Sequence, residues 1–163
     1  MDAAAPAWLL ALEASGLAAG IRQSVWIYPA ANVTHVVSIT MFAGAVAVID
    51  LTLLGVLRPA GRARVLAGAR AFAMAFMMLV AVSGLVLFMA EASHVALNRV
   101  FQIKLALIGL AVLNGLVFGS RAEAAVAGLP DDAPVPSWAR AAAAASLAIW
   151  LAVVALGRYI AYN

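Results

Sequence analysis

Long apolar stretches alternate with short polar segments along this chain of 163 residues. Four of the stretches are long enough to cross a bilayer, since about 20 helical residues span a hydrocarbon core of about 30 Å. They cover approximately residues 30–57, 69–90, 100–118 and 138–159. None shows the period of two that membrane β-strands require, so helices are predicted for all four. The pattern predicts an all-α integral membrane protein, a four-helix bundle in which residues 1–163 form one domain.

The segment before the first span is too short to cross a membrane. It covers residues 6–20, PAWLLALEASGLAAG. Trp8, Leu9, Leu12 and Leu17 share one face of a helix, which predicts an amphipathic helix lying in the membrane interface. The alternative is a short segment buried against the bundle.

The composition supports the membrane assignment. The chain is 67% hydrophobic and 10% charged, whereas soluble domains average about 45–50% and about 25%. The chain has no cysteine, so disulfides and thiolate metal sites are excluded. No basic cluster with interleaved aromatic residues suggests nucleic acid as a partner. Nothing indicates an enzyme, since the sequence shows no nucleophile–base pair, no suitably spaced carboxylates and no phosphate-binding loop.

Arginine residues are concentrated in the loops on one side of the predicted bundle. The first and third loops, with the start of the second span, contain Arg58, Arg62, Arg64, Arg70, Arg121 and Arg140. The second loop contains only Arg99. Cytoplasmic loops are enriched in Lys and Arg. The sequence therefore predicts a multi-pass protein with the first and third loops in the cytoplasm. In a bacterium this is an inner-membrane protein, with both termini and the second loop in the periplasm.

Each predicted span brings an ionisable residue to the periplasmic, outer side. These residues are His35, Glu91, Lys104 and Arg158, and the second loop adds His94. Ionisable residues within a membrane are costly and indicate a functional site by default. If the helices form one bundle, these side chains converge in an outer polar layer.

A haem b site is one interpretation of this layer. Histidine is the usual axial ligand of haem on a bundle helix, so His35 would bind the iron. Lys104 and Arg158 would balance the propionates, and His94 or a methionine would supply a second ligand.

A site for copper or zinc is the second functional interpretation. His35, Glu91 and His94 would be its ligands, because imidazole and carboxylate groups suit these ions. A purely structural interpretation also stands: Lys104 and Arg158 extend to the headgroups, and His35 hydrogen-bonds a neighbouring helix.

Two polar residues lie deeper or nearer the inner side. Asp50 is expected to form an ion pair with Arg58 or Arg70, or an interhelical hydrogen bond. Asn114 is expected to hydrogen-bond a neighbouring helix.

Several short motifs are spread along the chain. They are W-x-Y-P followed by histidine, IDL-x-LLG, F-x-I-K-L and the terminal GRYIAY, and they contain Trp26, Tyr28, Pro29, His35, Asp50, Lys104 and Arg158. In these motifs the chain resembles a family of small bacterial four-helix inner-membrane proteins of unknown function. The resemblance covers nearly the whole chain and implies the same fold and location. The chain departs from it at Thr52, where the family often has arginine, and at Gly119, where it often has histidine.

Three hypotheses of function follow. The first is a redox-linked membrane protein with haem b or a metal at the outer side. The second is a cofactor-free structural or accessory subunit, which packs in the bilayer against a larger membrane complex or against further copies of itself. The third is transport of a small solute or protons, for which four unbroken spans leave little room in a monomer.

Overall fold

A computed structural model describes residues 5–160, with side chains described for residues 5–157. It confirms the all-α prediction, because the described residues form helices and no strand. Four helical stretches are long and apolar enough to cross a membrane: Ile27–Leu53, Arg62–Ala90, Arg99–Ala127 and Ser137–Gly157.

The helices in chain order are α1 (Ala7–Glu13), α2 (Gly16–Gln23), α3 (Ile27–Leu53), α4 (Arg62–Ala90), α5 (Ala92–Leu97), α6 (Arg99–Asn114), α7 (Ser120–Ala127) and α8 (Ser137–Ile160). A π-helical segment, Gly115–Gly119, joins α6 to α7, so these three form one continuous span. This span was predicted to end near residue 118 but continues to Ala127.

The spanning helices pack in the order α4, α3, α8, α6. Helix α3 contacts both α4 and α8, α6 contacts α8, and α7 closes against α4. Phe42 lies at the centre of one core cluster, where Trp150 meets it edge-on with ring centroids 4.6 Å apart. A second cluster, around Leu53, Leu66 and Val126, lies nearer the end where α3 stops and α4 starts. We call this the inner end, and the opposite end, with α1, α2 and α5, the outer end.

Helix α3 stops at a glycine in the left-handed conformation. Gly55 has φ +81°, which a residue without Cβ adopts at no steric cost. The Gly55 and Val56 amides donate to the carbonyl groups of Thr52 and Leu51. These two bonds form a Schellman motif, which turns the chain toward α4 a few residues before the predicted end of the span.

The N-terminal segment forms two short helices, and the prediction of one helix over residues 6–20 is corrected. The Ser15 hydroxyl accepts a hydrogen bond from the Ala18 amide and so begins α2. Leu9 and Ile21 are buried against the bundle, whereas Trp8 and Leu17 are 64% and 63% exposed. The segment therefore packs on the bundle through one face and leaves Trp8, Leu10 and Leu17 exposed. Its position in the membrane interface stays a prediction.

At the outer end, α4 is capped by a residue far away in sequence. The Arg22 guanidinium donates to the carbonyl oxygens of Ala90, at 2.9 Å, and Glu13, at 3.0 Å. The Glu13 carboxylate accepts from the Ser93 amide at 3.0 Å and from the Ser93 hydroxyl. A cation near a helix C-terminus offsets the partial negative charge of the unpaired carbonyl groups. These contacts hold α1 and α2 against the α4–α5 junction.

At the inner end, the loop between α7 and α8 caps the start of α4. The Asp131 carboxylate accepts from the Gly61 and Arg62 amides at 2.6 and 2.9 Å. The Arg62 guanidinium in turn donates to the carbonyl oxygens of Pro130, Asp131 and Ala133. The loops that were predicted to share one side of the membrane therefore lie together at one end of the bundle.

These two carboxylates predict a loss of stability in acid. Hydrogen bonds from Ser93 lower the pKa of Glu13 below its ordinary 4.5, and those from Gly61 and Arg62 lower the pKa of Asp131 below 3.8. A lowered pKa means that the folded state favours the ionised form, so each contribution is complete above the ordinary pKa and is lost as the pH falls below it. The free energy of unfolding should therefore decrease below about pH 4.5, measured by denaturant titration in detergent. In the double variant E13Q/D131N the decrease should be shallower, and an unchanged slope would contradict this origin.

Candidate site on the outer half of the bundle

His35 is held in one tautomer by a short chain of hydrogen bonds between α3 and α4. Its Nδ1 lies 2.9 Å from the Ser83 hydroxyl oxygen. That hydroxyl donates its single proton to the Leu79 carbonyl oxygen at 2.6 Å. Ser83 must therefore accept from His35, which places the imidazole proton on Nδ1. The other ring nitrogen, Nε2, is left with a free lone pair.

Gly84 lets the imidazole ring lie directly on the backbone of α4. A Cβ atom at this position would lie 3.0 Å from His35 Cε1, 3.5 Å from Nδ1 and 3.9 Å from Nε2. The first distance is shorter than van der Waals contact between carbon atoms, so a larger residue would displace the ring. Ser83 and Gly84 thus fix the orientation and the depth of the histidine.

Lys104 lies between α6 and α8, as His35 lies between α3 and α4. Its side chain is half-buried and crosses the backbone of α8 at Gly157, where a Cβ would lie 3.3 Å from Nζ. Two of the predicted outer-layer residues, His35 and Lys104, therefore each rest on a glycine of a neighbouring helix.

The remaining outer residues are placed differently. Glu91 and His94 are exposed, at the start of α5 and in its last turn. The side chain of Arg158 lies outside the described residues. Within the part of the chain that the structure describes, no group of three or more His, Asp or Glu side chains is arranged to hold a metal ion. The structure thus does not join His35, Glu91 and His94 into one group of ligands.

The deeper polar residues have separate roles. The Asn114 side-chain amide donates to the Ala142 carbonyl oxygen of α8 at 3.1 Å, as predicted for this residue. Asp50 is buried beside Ser146 of α8, and its Oδ2 atom has no hydrogen-bond partner. Its predicted ion pair with Arg70 does not form, because Arg70 instead binds Glu123 of α7 at 3.0 Å.

Ser83 is the residue of this site that sequence reasoning did not assign. A polar residue beside a glycine within an apolar span is a signal for a hydrogen-bond partner on the next helix. The sequence could not show that this partner is His35, because it does not fix the rotation of each helix.

Four apolar spans with polar side chains buried between them define a multi-pass α-helical membrane protein. The chain belongs to the family of unknown function DUF6644, whose model matches residues 16–163. No curated protein and no solved structure matches the chain. Membership of an uncharacterised family agrees with the resemblance noted in the sequence.

Proposed function

We propose that this membrane protein binds haem b through His35 and has a redox-linked role. The observation that carries the proposal is the hydrogen-bond chain from His35 Nδ1 through Ser83 to Leu79. Histidine ligands of metals are commonly oriented in this way, with one nitrogen donating to a protein acceptor and the other facing the metal. Iron bound to such an axial ligand supplies one-electron chemistry.

The set of possible ligands at His35 suits a haem better than an isolated metal ion. A metal ion needs three or four protein ligands, and the described residues contain no such group. A porphyrin supplies the equatorial ligands itself, so one or two protein ligands suffice. Lys104 offers a cation that could pair with one haem propionate. We propose that Arg158, near the end of α8, pairs with the other propionate.

We further propose that this site faces the periplasm of a bacterium. The arginine residues of the first and third loops lie at the inner end, which the positive-inside rule assigns to the cytoplasm. The outer end, with α1, α2 and α5, would then lie on the periplasmic side, as would both termini.

A visible spectrum tests the haem proposal directly. The protein is purified in mild detergent from cells supplied with haem precursor, and spectra are recorded with and without dithionite. We expect a Soret band and an α band in the difference spectrum, and their loss in H35A. The S83A variant should bind haem about 10- to 100-fold more weakly, as typical for loss of a group that orients a metal ligand.

His94 provides the matched control, because it is the other histidine of the chain and is exposed. H94A should retain the Soret and α bands if His35 is the only axial histidine. Loss of these bands in both H35A and H94A indicates two axial histidines. A colourless protein that elemental analysis shows to be free of iron contradicts the haem proposal.

An accessory role without a cofactor is the second candidate. Only 6% of the most apolar window of the third span, Arg99–Ala127, is buried within the chain. So exposed a helix offers a large face to lipid or to another membrane subunit. Purification from native membranes in mild detergent tests this role: a stoichiometric partner subunit or a homo-oligomer supports it, and a monodisperse monomer contradicts it.

A further inference from the structure

A cavity of about 250 Å³ opens at the inner end of the bundle. It lies between the end of α3, the start of α4, the α7–α8 loop and the first turn of α8, and its lining includes Thr52, Arg58, Arg62, Asp132 and Arg140. A water molecule takes about 30 Å³ of liquid. The cavity therefore has room for a polar group larger than a single water.

Positive charge predominates in this cavity. Arg58, Arg62 and Arg140 face two carboxylates, those of Asp131 and Asp132. Asp131 is already engaged by the Gly61 and Arg62 amides, which lower its pKa and hold it ionised against the start of α4. Arg58 and Arg140 are exposed, with guanidinium donors available to a group that enters the cavity.

Two deeply buried residues of the lining have polar atoms without partners. Thr52 is 1% exposed and Arg62 is 4% exposed, and neither the Thr52 Oγ1 nor the Arg62 Nε makes a hydrogen bond. Buried polar atoms are nearly always paired, and an exception calls for an explanation such as a bound group. Both atoms have a proton to donate but almost no accessible surface, so a group rich in acceptor oxygens would satisfy both once the lining moves apart to admit it.

We propose that this cavity binds a phosphate group. Guanidinium groups match the oxygen geometry of phosphate, and a negative group suits the excess of arginine. Basic pockets between membrane helices on the cytoplasmic side are known to bind anionic lipid headgroups. The phosphate belongs to such a headgroup or is free inorganic phosphate, and the two sources are separated by experiment. This inference is independent of the haem proposal.

The experiment compares two double variants of equal charge. R58Q/R140Q removes two arginine residues of the cavity, whereas R64Q/R121Q removes two exposed arginine residues, on α4 and α7, that do not line it. Binding of inorganic phosphate is measured by calorimetry in neutral detergent. Retention of phosphatidylglycerol against phosphatidylcholine is measured by mass spectrometry after reconstitution in mixed nanodiscs. T52V, which keeps the charge and the approximate shape, is a third variant.

The proposal is supported if R58Q/R140Q binds the probe at least tenfold more weakly. T52V should also bind more weakly, and R64Q/R121Q should bind as the unmodified protein does. If inorganic phosphate binds, the ligand is free phosphate; if only phosphatidylglycerol is retained, it is a lipid headgroup. D132N should strengthen binding, because it removes the free carboxylate of the lining. Equal loss in both double variants shows non-specific attraction and overturns the proposal, as does the absence of binding to either probe. Circular dichroism confirms that each variant is folded.

Discussion

Replacing Arg62 with alanine should lower the free energy of unfolding by about 3 kcal/mol or more. Arg62 is only 4% exposed, and its guanidinium donates to three carbonyl oxygens at 2.8, 3.1 and 3.3 Å. Hydrogen bonds to a charged group contribute about 1.5–3 kcal/mol each, although not additively. The variant would leave the Pro130, Asp131 and Ala133 carbonyl groups without these partners and release the α7–α8 loop from α4.

Unfolding with sodium dodecyl sulfate, followed by circular dichroism, measures this change. Arg64 is two residues further along α4 and exposed, so R64A should change the free energy of unfolding by no more than about 0.5 kcal/mol. The free energy of unfolding of R62K should lie between those of R62A and R64A, because lysine keeps the charge but lacks the planar guanidinium group that reaches several acceptors. If R62A and R64A unfold alike, the loop is held by other contacts.

Replacing Gly84 with alanine should destabilise the protein by about 1–3 kcal/mol, the usual range for overpacking a well-packed site. The added methyl group would lie 3.0 Å from His35 Cε1, and the ring has little freedom to withdraw while Nδ1 is bound to Ser83. A loss of stability would be informative, because alanine in a helix is otherwise favoured over glycine by about 0.5–1 kcal/mol. Displacement of the ring should also weaken any haem bound to His35.

Gly68 supplies the control on the same helix, because a Cβ there meets nothing within 4 Å. G68A should therefore be neutral or slightly stabilising, so the two substitutions are expected to have opposite signs. Thermal unfolding in detergent would compare them directly. A stabilising G84A would mean that His35 does not rest on this part of α4.

The lipid environment explains why the sequence determined so much of the fold. A membrane span must satisfy its backbone internally and present apolar side chains outward, so the four spans are readable from composition and length alone. Four successive spans put the first and third loops at the same end of the bundle, and the contacts between Arg62 and the Asp131 loop show them together there. Asn114 was predicted to bind a neighbouring helix because an unpaired amide is costly in a membrane.

The partners of the polar residues were decided only by the tertiary structure. In a helix that is apolar on all sides, the pattern of side chains does not fix the rotation about the axis, so the sequence could place His35 at a depth but not against Ser83. The caps of α4 come from Arg22 and Asp131, which are 68 and 69 residues distant from the groups they bind. The docking of α1 on α5 and of α2 on α4 is likewise a tertiary feature, although the cap at Ser15 that separates the two helices is local. Length and hydropathy therefore determined the spans, and packing between helices determined which polar groups meet.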